Sequence, residues 1–136
     1  MDTREVIEKY YACVNAGDWP GYLALFSDDC IMDEQLAGHI VGIDALRSVI
    51  EGFPRSYSRF QMLPQRLVIE GEAAVVVWRI QAAVPSGQPI AYPTNPDGST
   101  RQVIGANYFQ VQNGKIVYMR TMHDTQPFAP LTNPSR

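Results

Sequence analysis

The spacing of apolar residues predicts three helices in the first part of the chain. Residues 3–16 place apolar side chains at every third or fourth position, which is the period of an amphipathic helix. Gly17 suits the left-handed end of this helix, and residues 18–26 are expected to form a second one. A third helix is predicted over about residues 43–53, with Pro54 closing it.

The remainder of the chain has the pattern of β-structure. A short strand, residues 30–34, precedes the third helix, and a tight turn at Asn113-Gly114 joins the last two strands. Residues 85–99 are rich in proline and glycine, which predicts a long loop. Helices followed by a meander of strands predict an α+β architecture with the helices on one face of an antiparallel sheet. The long strands are predicted at residues 57–70, 73–84, 100–112 and 115–123.

Composition and charge narrow the range of functions. The 136 residues are 46% apolar and 18% charged, which is typical of a single folded domain. We place this domain at residues 1–126, followed by a proline-containing tail at 127–136. The net charge of -3 and the scattered basic residues argue against a nucleic-acid partner. The first residues are charged, so we expect no signal peptide, no membrane span and a cytoplasmic setting.

The sequence lacks the motifs that hold cofactors and metals. It contains no nucleotide-binding loop, no metal-ligand spacing and no nucleophile motif. Cys13 and Cys30 are too few for a disulfide framework. We therefore expect acid/base chemistry that needs neither a cofactor nor a metal.

Strand alternation predicts which polar side chains face the interior. Asn107 lies on the more apolar face of its strand, where a buried amide needs hydrogen-bond partners. His123 extends the apolar row of the last strand. Asp33 and Glu34 are neighbours, so a regular strand can turn only one of them into a pocket.

One long segment carries a family resemblance. The stretch YYACVNAGDWPGYLALFSDDCIMDEQLAGHIVGIDALRSVI resembles the nuclear transport factor two-like superfamily, in particular its ketosteroid isomerases and SnoaL-like polyketide cyclases. The helix ending in NAGD, the ALFSDD stretch, GIDALR and the later NGKIV hairpin carry this resemblance, which spans nearly the whole chain. It implies a cystatin-like α+β barrel, in which a cone-shaped, curved, mostly antiparallel sheet packs on three N-terminal helices. It also implies a homodimer.

The resemblance implies a set of catalytic residues. Asp33 falls at the general-base aspartate of the ketosteroid isomerases, and Tyr10 at their oxyanion-hole tyrosine. Asn107 takes the place of their second oxyanion donor, which is normally an aspartic acid, and His123 that of a pocket phenylalanine. We therefore expect Asp33 to move the proton and Tyr10 and Asn107 to stabilise oxyanion charge. His123 would orient the substrate or assist.

Several apolar side chains are expected to line the substrate pocket, although each could equally be a core residue. They are Val14, Phe26, Phe53, Met62, Trp78, Phe109 and Met119.

These observations favour a cofactor-independent isomerase or cyclase that acts on a small, mostly apolar, polyketide-like carbonyl compound. One alternative is a non-catalytic module that binds a small ligand on the same fold, because this fold supports many functions. Another is a dehydratase or epoxide-opening enzyme that uses Asp33 together with His123.

Overall fold

The structure is a computed structural model that describes most of the chain. The predicted loop at 85–99 and the tail at 127–136 lie outside the described residues. Backbone is described for residues 1–35, 37–56, 59–83 and 102–123, and side chains for these ranges except 53–56, 59–60, 81–83 and 102–103.

Three helices occupy the first part of the chain, as predicted. Helix α1 spans Thr3–Ala16, α2 spans Trp19–Leu23 and α3 spans Ile43–Ser56. The Asp2 carboxylate caps α1 by accepting a backbone N–H of its first turn at 2.8 Å. Gly17 ends the same helix in the left-handed conformation at φ 68°, which glycine adopts without steric cost.

Two helix boundaries differ from the prediction. The second helix stops at Leu23, because Phe26 already pairs with Ile116 in the sheet. The third helix continues past Pro54 to Ser56. Proline removes one backbone donor, and here that loss does not end the helix.

Six strands form one curved, unclosed, mostly antiparallel sheet. The described strands are β1 Phe26–Glu34, β2 Gly38–Val41, β3 Arg59–Glu70, β4 Ala73–Ala83, β5 Gln102–Gln112 and β6 Lys115–His123. Their order across the sheet is β2-β1-β6-β5-β4-β3, and among these described strands only the β1–β6 pairing is parallel. The α+β cone fold predicted from the sequence is thereby confirmed.

Strand β2 is the element that the sequence pattern did not predict. It pairs with the end of β1 and places His39 on an exposed strand position. The Asn113-Gly114 turn behaves as predicted, with φ values of 53° and 74°.

The helices cover one face of the sheet, which we call the inner face. Helix α1 is fixed to β3 by Asn15, whose amide nitrogen donates to the Met62 carbonyl at 2.8 Å. The Asn15 side-chain oxygen accepts from the Met62 N–H at 2.7 Å, so this amide forms a reciprocal pair with the backbone. The opposite, outer face carries exposed apolar side chains such as Val77 and Ile104.

Gly105 allows a close contact on the inner face. A Cβ at this position would lie 2.6 Å from the Trp78 indole and 2.4 Å from the Met122 carbonyl oxygen. The indole therefore lies directly over the backbone of β5 at Gly105, which pairs in register with His123.

We expect Gly105→Ala to destabilise the fold by about 1–3 kcal/mol, because the added methyl group must displace the indole or the backbone. Gly52→Ala is the matched control, since Gly52 lies in α3 and has nothing within 4 Å of the added methyl group. That helical substitution should stabilise by about 0.5–1 kcal/mol. Urea unfolding of both variants measures the difference, and equal stabilities would contradict the contact.

Candidate active site

Asp33 lies on the outer face of the sheet, not in the pocket expected from the resemblance. Its carboxylate accepts a hydrogen bond from the Tyr118 hydroxyl at 2.7 Å and contacts His39 Nδ1 at 2.5 Å. Arg120 approaches to 3.7 Å. The parallel register that pairs Asp33 with Arg120 fixes this orientation, so the expected position of Asp33 is corrected.

Glu34, the next residue, points to the inner face and contacts His123. The distance from Glu34 Oε1 to His123 Nε2 is 2.8 Å, and the His123 side chain is only 7% exposed. The other carboxylate oxygen of Glu34 accepts the Ala37 N–H at 2.6 Å. The backbone N–H of His123 donates to Gln35 Oε1. Both members of the pair are therefore held in place by hydrogen bonds.

The register of the strands places polar residues side by side around this pair. Asn107 of β5, Thr121 of β6 and Glu34 of β1 are consecutive partners across the sheet. Trp78 and His123 flank Gly105 in the next row, and their rings lie 6.4 Å apart. The predicted inward orientation of Asn107 and Trp78 is confirmed, since both are fully buried.

A cluster of three buried tyrosines adjoins the polar row. The ring of Tyr10 lies 4.8 Å from that of Tyr11 and 5.1 Å from that of Tyr22. The Asn107 amide nitrogen donates to the Tyr11 hydroxyl at 3.1 Å. The cluster thus links α1, where Tyr10 was expected to face the site, to the strand that carries Asn107.

Burial keeps these tyrosines protonated. Loss of solvent raises the pKa of Tyr10 and of Tyr11 above the ordinary value of 10.0. Hydrogen bonds with Tyr22 and Asn107 partly oppose the rise at Tyr10, and the Glu34 charge adds to it. The Tyr10 hydroxyl is therefore a neutral hydrogen-bond donor close to the Glu34 carboxylate.

A family model for the SnoaL-like domain matches residues 7–119. The chain belongs to the SnoaL-like domain family. The resemblance to SnoaL-like proteins that was inferred from the sequence is therefore confirmed. No curated protein has a significantly similar sequence.

Solved structures support the fold of this SnoaL-like domain. An NTF2-like protein of unknown function from Burkholderia pseudomallei is 17% identical, with a TM-score of 0.79 and 98% of both chains covered. A candidate polyketide cyclase from Xanthomonas campestris is 23% identical, with a TM-score of 0.78 and 93% of both chains covered. TerC, co-crystallised with polyporic acid, is 19% identical, with a TM-score of 0.75 and coverage of 95% of this chain and 96% of TerC.

The expected apolar lining of the SnoaL-like domain lies in or near its core. The side chain of Phe53 lies outside the described residues. The other six side chains are buried, so their contact with a substrate remains a prediction. They are Val14, Phe26, Met62, Trp78, Phe109 and Met119.

Three buried polar atoms of the inner face have no hydrogen-bond partner among the described residues. They are Trp78 Nε1, Asn107 Oδ1 and Thr121 Oγ1. An unpaired buried polar group costs roughly 1–3 kcal/mol, so such groups are rare without a functional reason. Two further unpartnered atoms, Ser27 Oγ and Arg79 Nε, lie at the start of β1 and on the outer face.

A separate groove lies between α2 and α3. Its volume is about 660 Å³, and its walls include Trp19, Phe26 and Ile50. Arg47 and Lys115 are among its charged lining residues. Neither Glu34 nor His123 lines it, so the groove is distinct from the polar row.

Among the described residues of the SnoaL-like domain, neither a cluster of metal-ligating side chains nor a membrane-crossing helix occurs. Among its side chains no group of three or more His, Cys, Asp and Glu residues is arranged to hold an ion. None of the described helices is long and apolar enough to cross a membrane.

Glu34 is the residue that the sequence interpretation did not select. Alternation already separated it from Asp33, but the choice between them rested on the family position of Asp33. The sequence alone offers no signal for this choice, because Ile31 and Met32 are both apolar and place Asp33 and Glu34 on equally apolar rows. The structure decides it, since Met32 is buried on the face that carries Glu34.

The outer cluster predicts a pH-dependent contribution to stability. Hydrogen bonds from His39 and Tyr118, with the charges of His39 and Arg120, hold the pKa of Asp33 below its ordinary value. A lowered folded pKa stabilises the protein fully above the unfolded pKa, and this contribution is lost as the pH falls through the folded value. Asp33→Asn should therefore destabilise the domain at about pH 6, and this destabilisation should shrink progressively as the pH falls below about 4, the ordinary pKa of an aspartate.

Urea unfolding of wild type and Asp33→Asn across this pH range measures the effect. Asp29→Asn is the control, because Asp29 is an exposed carboxylate on the same strand. A pH-independent difference between wild type and Asp33→Asn would contradict the assignment.

Proposed function

We propose that this SnoaL-like domain is a cofactor-independent isomerase or cyclase that moves protons on a small, mostly apolar, polyketide-like carbonyl compound. The observation that carries the proposal is the His123–Glu34 pair, 2.8 Å apart and almost closed off from solvent on the inner face. A buried histidine held by a carboxylate is a common acid/base arrangement.

The pairing determines which histidine nitrogen is basic. When Nε2–H of His123 donates to Glu34, the neutral imidazole carries its lone pair on Nδ1. The Glu34 carboxylate also stabilises the imidazolium that forms after proton uptake. His123 would therefore take a proton from the carbon next to the carbonyl and return it to another position.

The tyrosine cluster can help to stabilise the negative charge that proton removal creates. Removing a proton next to a carbonyl leaves negative charge on the carbonyl oxygen, which fixed donors can stabilise. Tyr10 stays protonated because burial raises its pKa, and it lies close to Glu34 and Asn107. We assign it a supporting role in stabilising this charge, beside whichever donor contacts the carbonyl oxygen directly.

The geometry gives less support to the other interpretations. A dehydratase or epoxide-opening enzyme that uses Asp33 with His123 needs both groups at one substrate, whereas they point to opposite faces of the sheet. A purely ligand-binding domain has no need of a hydrogen-bonded pair such as Glu34–His123. The following experiment distinguishes such a domain from an enzyme.

Exchange of the α-hydrogens of α-tetralone in D₂O, followed by proton NMR, tests the proposal. We expect the wild type to accelerate exchange and His123→Gln to lower the rate by about 10²–10⁴-fold. Glu34→Gln should lower it by roughly tenfold or more, because the imidazole loses its orientation and charge partner.

Asp33→Asn is the matched control, since it removes a carboxylate from the opposite face of the same strand. Its rate should stay close to that of the wild type. A loss in Asp33→Asn equal to that in His123→Gln would restore Asp33 as the base. Exchange no faster than in buffer alone would identify a binding domain.

We also propose that the protein is a homodimer that pairs through its outer face. The outer face of β4 presents the apolar side chains of Val75 and Val77 in succession, before Arg79. Val77 is 39% exposed and Ile104 65% exposed, and Met122 lies beside them. Such a contiguous apolar surface favours association.

Light scattering on the purified protein should give twice the mass of one chain. Val77→Lys combined with Ile104→Lys should shift the population to monomer, because two lysines would be buried without partners. Val49→Lys, an exposed apolar position on α3, is the control. A wild-type monomer would contradict the proposal.

A further inference from the structure

The inner face leaves a defined set of hydrogen-bonding groups unused. Trp78 Nε1, Asn107 Oδ1 and Thr121 Oγ1 are closed off from solvent and have no partner among the described residues. The contrast with Asn15 is informative, because that amide satisfies both of its ends against the backbone of Met62. The chain therefore satisfies both ends of the Asn15 side-chain amide, whose role is structural.

All three groups lie next to the proposed catalytic pair. The strand register places Trp78 and His123 on either side of Gly105. Asn107 and Thr121 are paired, and Thr121 is also the partner of Glu34. The two rows are two residues apart along the strands, which is a separation of about 7 Å.

The chemistry of each group restricts what can pair with it. An indole N–H only donates, and an amide oxygen only accepts. The Asn107 amide nitrogen already donates to the Tyr11 hydroxyl, which leaves Oδ1 as the unused end. The Thr121 hydroxyl can both donate and accept.

We infer that the substrate is a hydroxylated carbonyl compound with two oxygen functions on opposite sides of its ring or chain. Its carbonyl oxygen accepts from Trp78 Nε1, beside His123, and its hydroxyl pairs with Asn107 Oδ1 and Thr121 Oγ1, beside Glu34. This inference rests on the proposed function and names its substrate class. Trp78 is then a specificity-determining residue through its N–H as well as through its ring.

The burial of these groups affects how such a ligand arrives. Since the three atoms are closed off from solvent, the surrounding packing must open before a ligand reaches them. Association should therefore be slower than that of a preformed open pocket.

Four matched probes separate the two hydrogen-bonding functions. Tetralin carries neither oxygen, α-tetralone has only the carbonyl and α-tetralol only the hydroxyl. The fourth probe, hydroxytetralone, is α-tetralone with a hydroxyl on the ring carbon opposite the carbonyl. Equilibrium affinities from calorimetry should rank hydroxytetralone first and tetralin last. The carbonyl should improve affinity by roughly fivefold, the effect of one neutral hydrogen bond, and the hydroxyl, which has two partners, by at least as much.

Two nearly isosteric variants assign each preference to a residue. Trp78→Phe should abolish the preference for α-tetralone over tetralin and keep that for α-tetralol over tetralin. Thr121→Val should weaken the preference for α-tetralol over tetralin, because one of the two hydrogen bonds to the hydroxyl is lost, and keep that for α-tetralone over tetralin. If Trp78→Phe does not fold, as judged by circular dichroism, the Thr121→Val comparison decides alone.

Equal affinity for all four probes would overturn the inference. So would a Trp78→Phe variant that weakens every probe by the same factor, because the indole would then act only through packing. These affinities do not depend on turnover. A retained ranking without α-hydrogen exchange would therefore reject the proposed function alone, and exchange without the ranking would reject the substrate class alone.

Discussion

The parallel pairing of β1 with β6 is the constraint on which the candidate site depends. Within the part of the chain that the structure describes, it is the one parallel contact in an otherwise antiparallel sheet, and it inserts β1 between β2 and the long meander. Its register sets the direction of every side chain at the end of β1. With this register Glu34 meets Thr121 on the inner face and Asp33 meets Arg120 on the outer face. A slip of one residue would exchange the two carboxylates.

The two faces of the sheet show how environment assigns different tasks to neighbouring carboxylates. Asp33 receives hydrogen bonds from Tyr118 and His39, which hold its pKa low and keep it ionised. Glu34 faces a desolvated region that also holds the tyrosine cluster, and it is bound to a histidine. The first arrangement is that of a structural ion cluster, whereas the second has the features of an acid/base group.

The sequence correctly predicted several features that depend on local residue patterns, including the bounds of some elements and the direction of some side chains. The bounds of α1 and β6 agree with the predicted residues 3–16 and 115–123, and the inward direction of Asn107 followed from alternation. The prediction missed the start of β1, because Phe26 becomes part of a strand only through Ile116, a partner distant in the chain. It also missed β2, which is four residues long and pairs only with the end of β1 among the described strands. The direction of Asp33 was predicted wrongly because alternation gives the period of a strand, whereas its pairing gives the face.

The contact between Glu34 and His123 joins residues 89 positions apart. Strand β1 is synthesised early, yet its neighbour β6 is the last of the six strands to leave the ribosome. Closing so long a loop is slow compared with forming hairpins such as β5–β6. The helices and the β3–β4 hairpin can therefore form before β6 pairs with β1, and until then the β6-facing edge of β1 is unpaired. Acid/base chemistry at this pair therefore requires β1 and β6 to be joined, so it depends on assembly of the whole sheet.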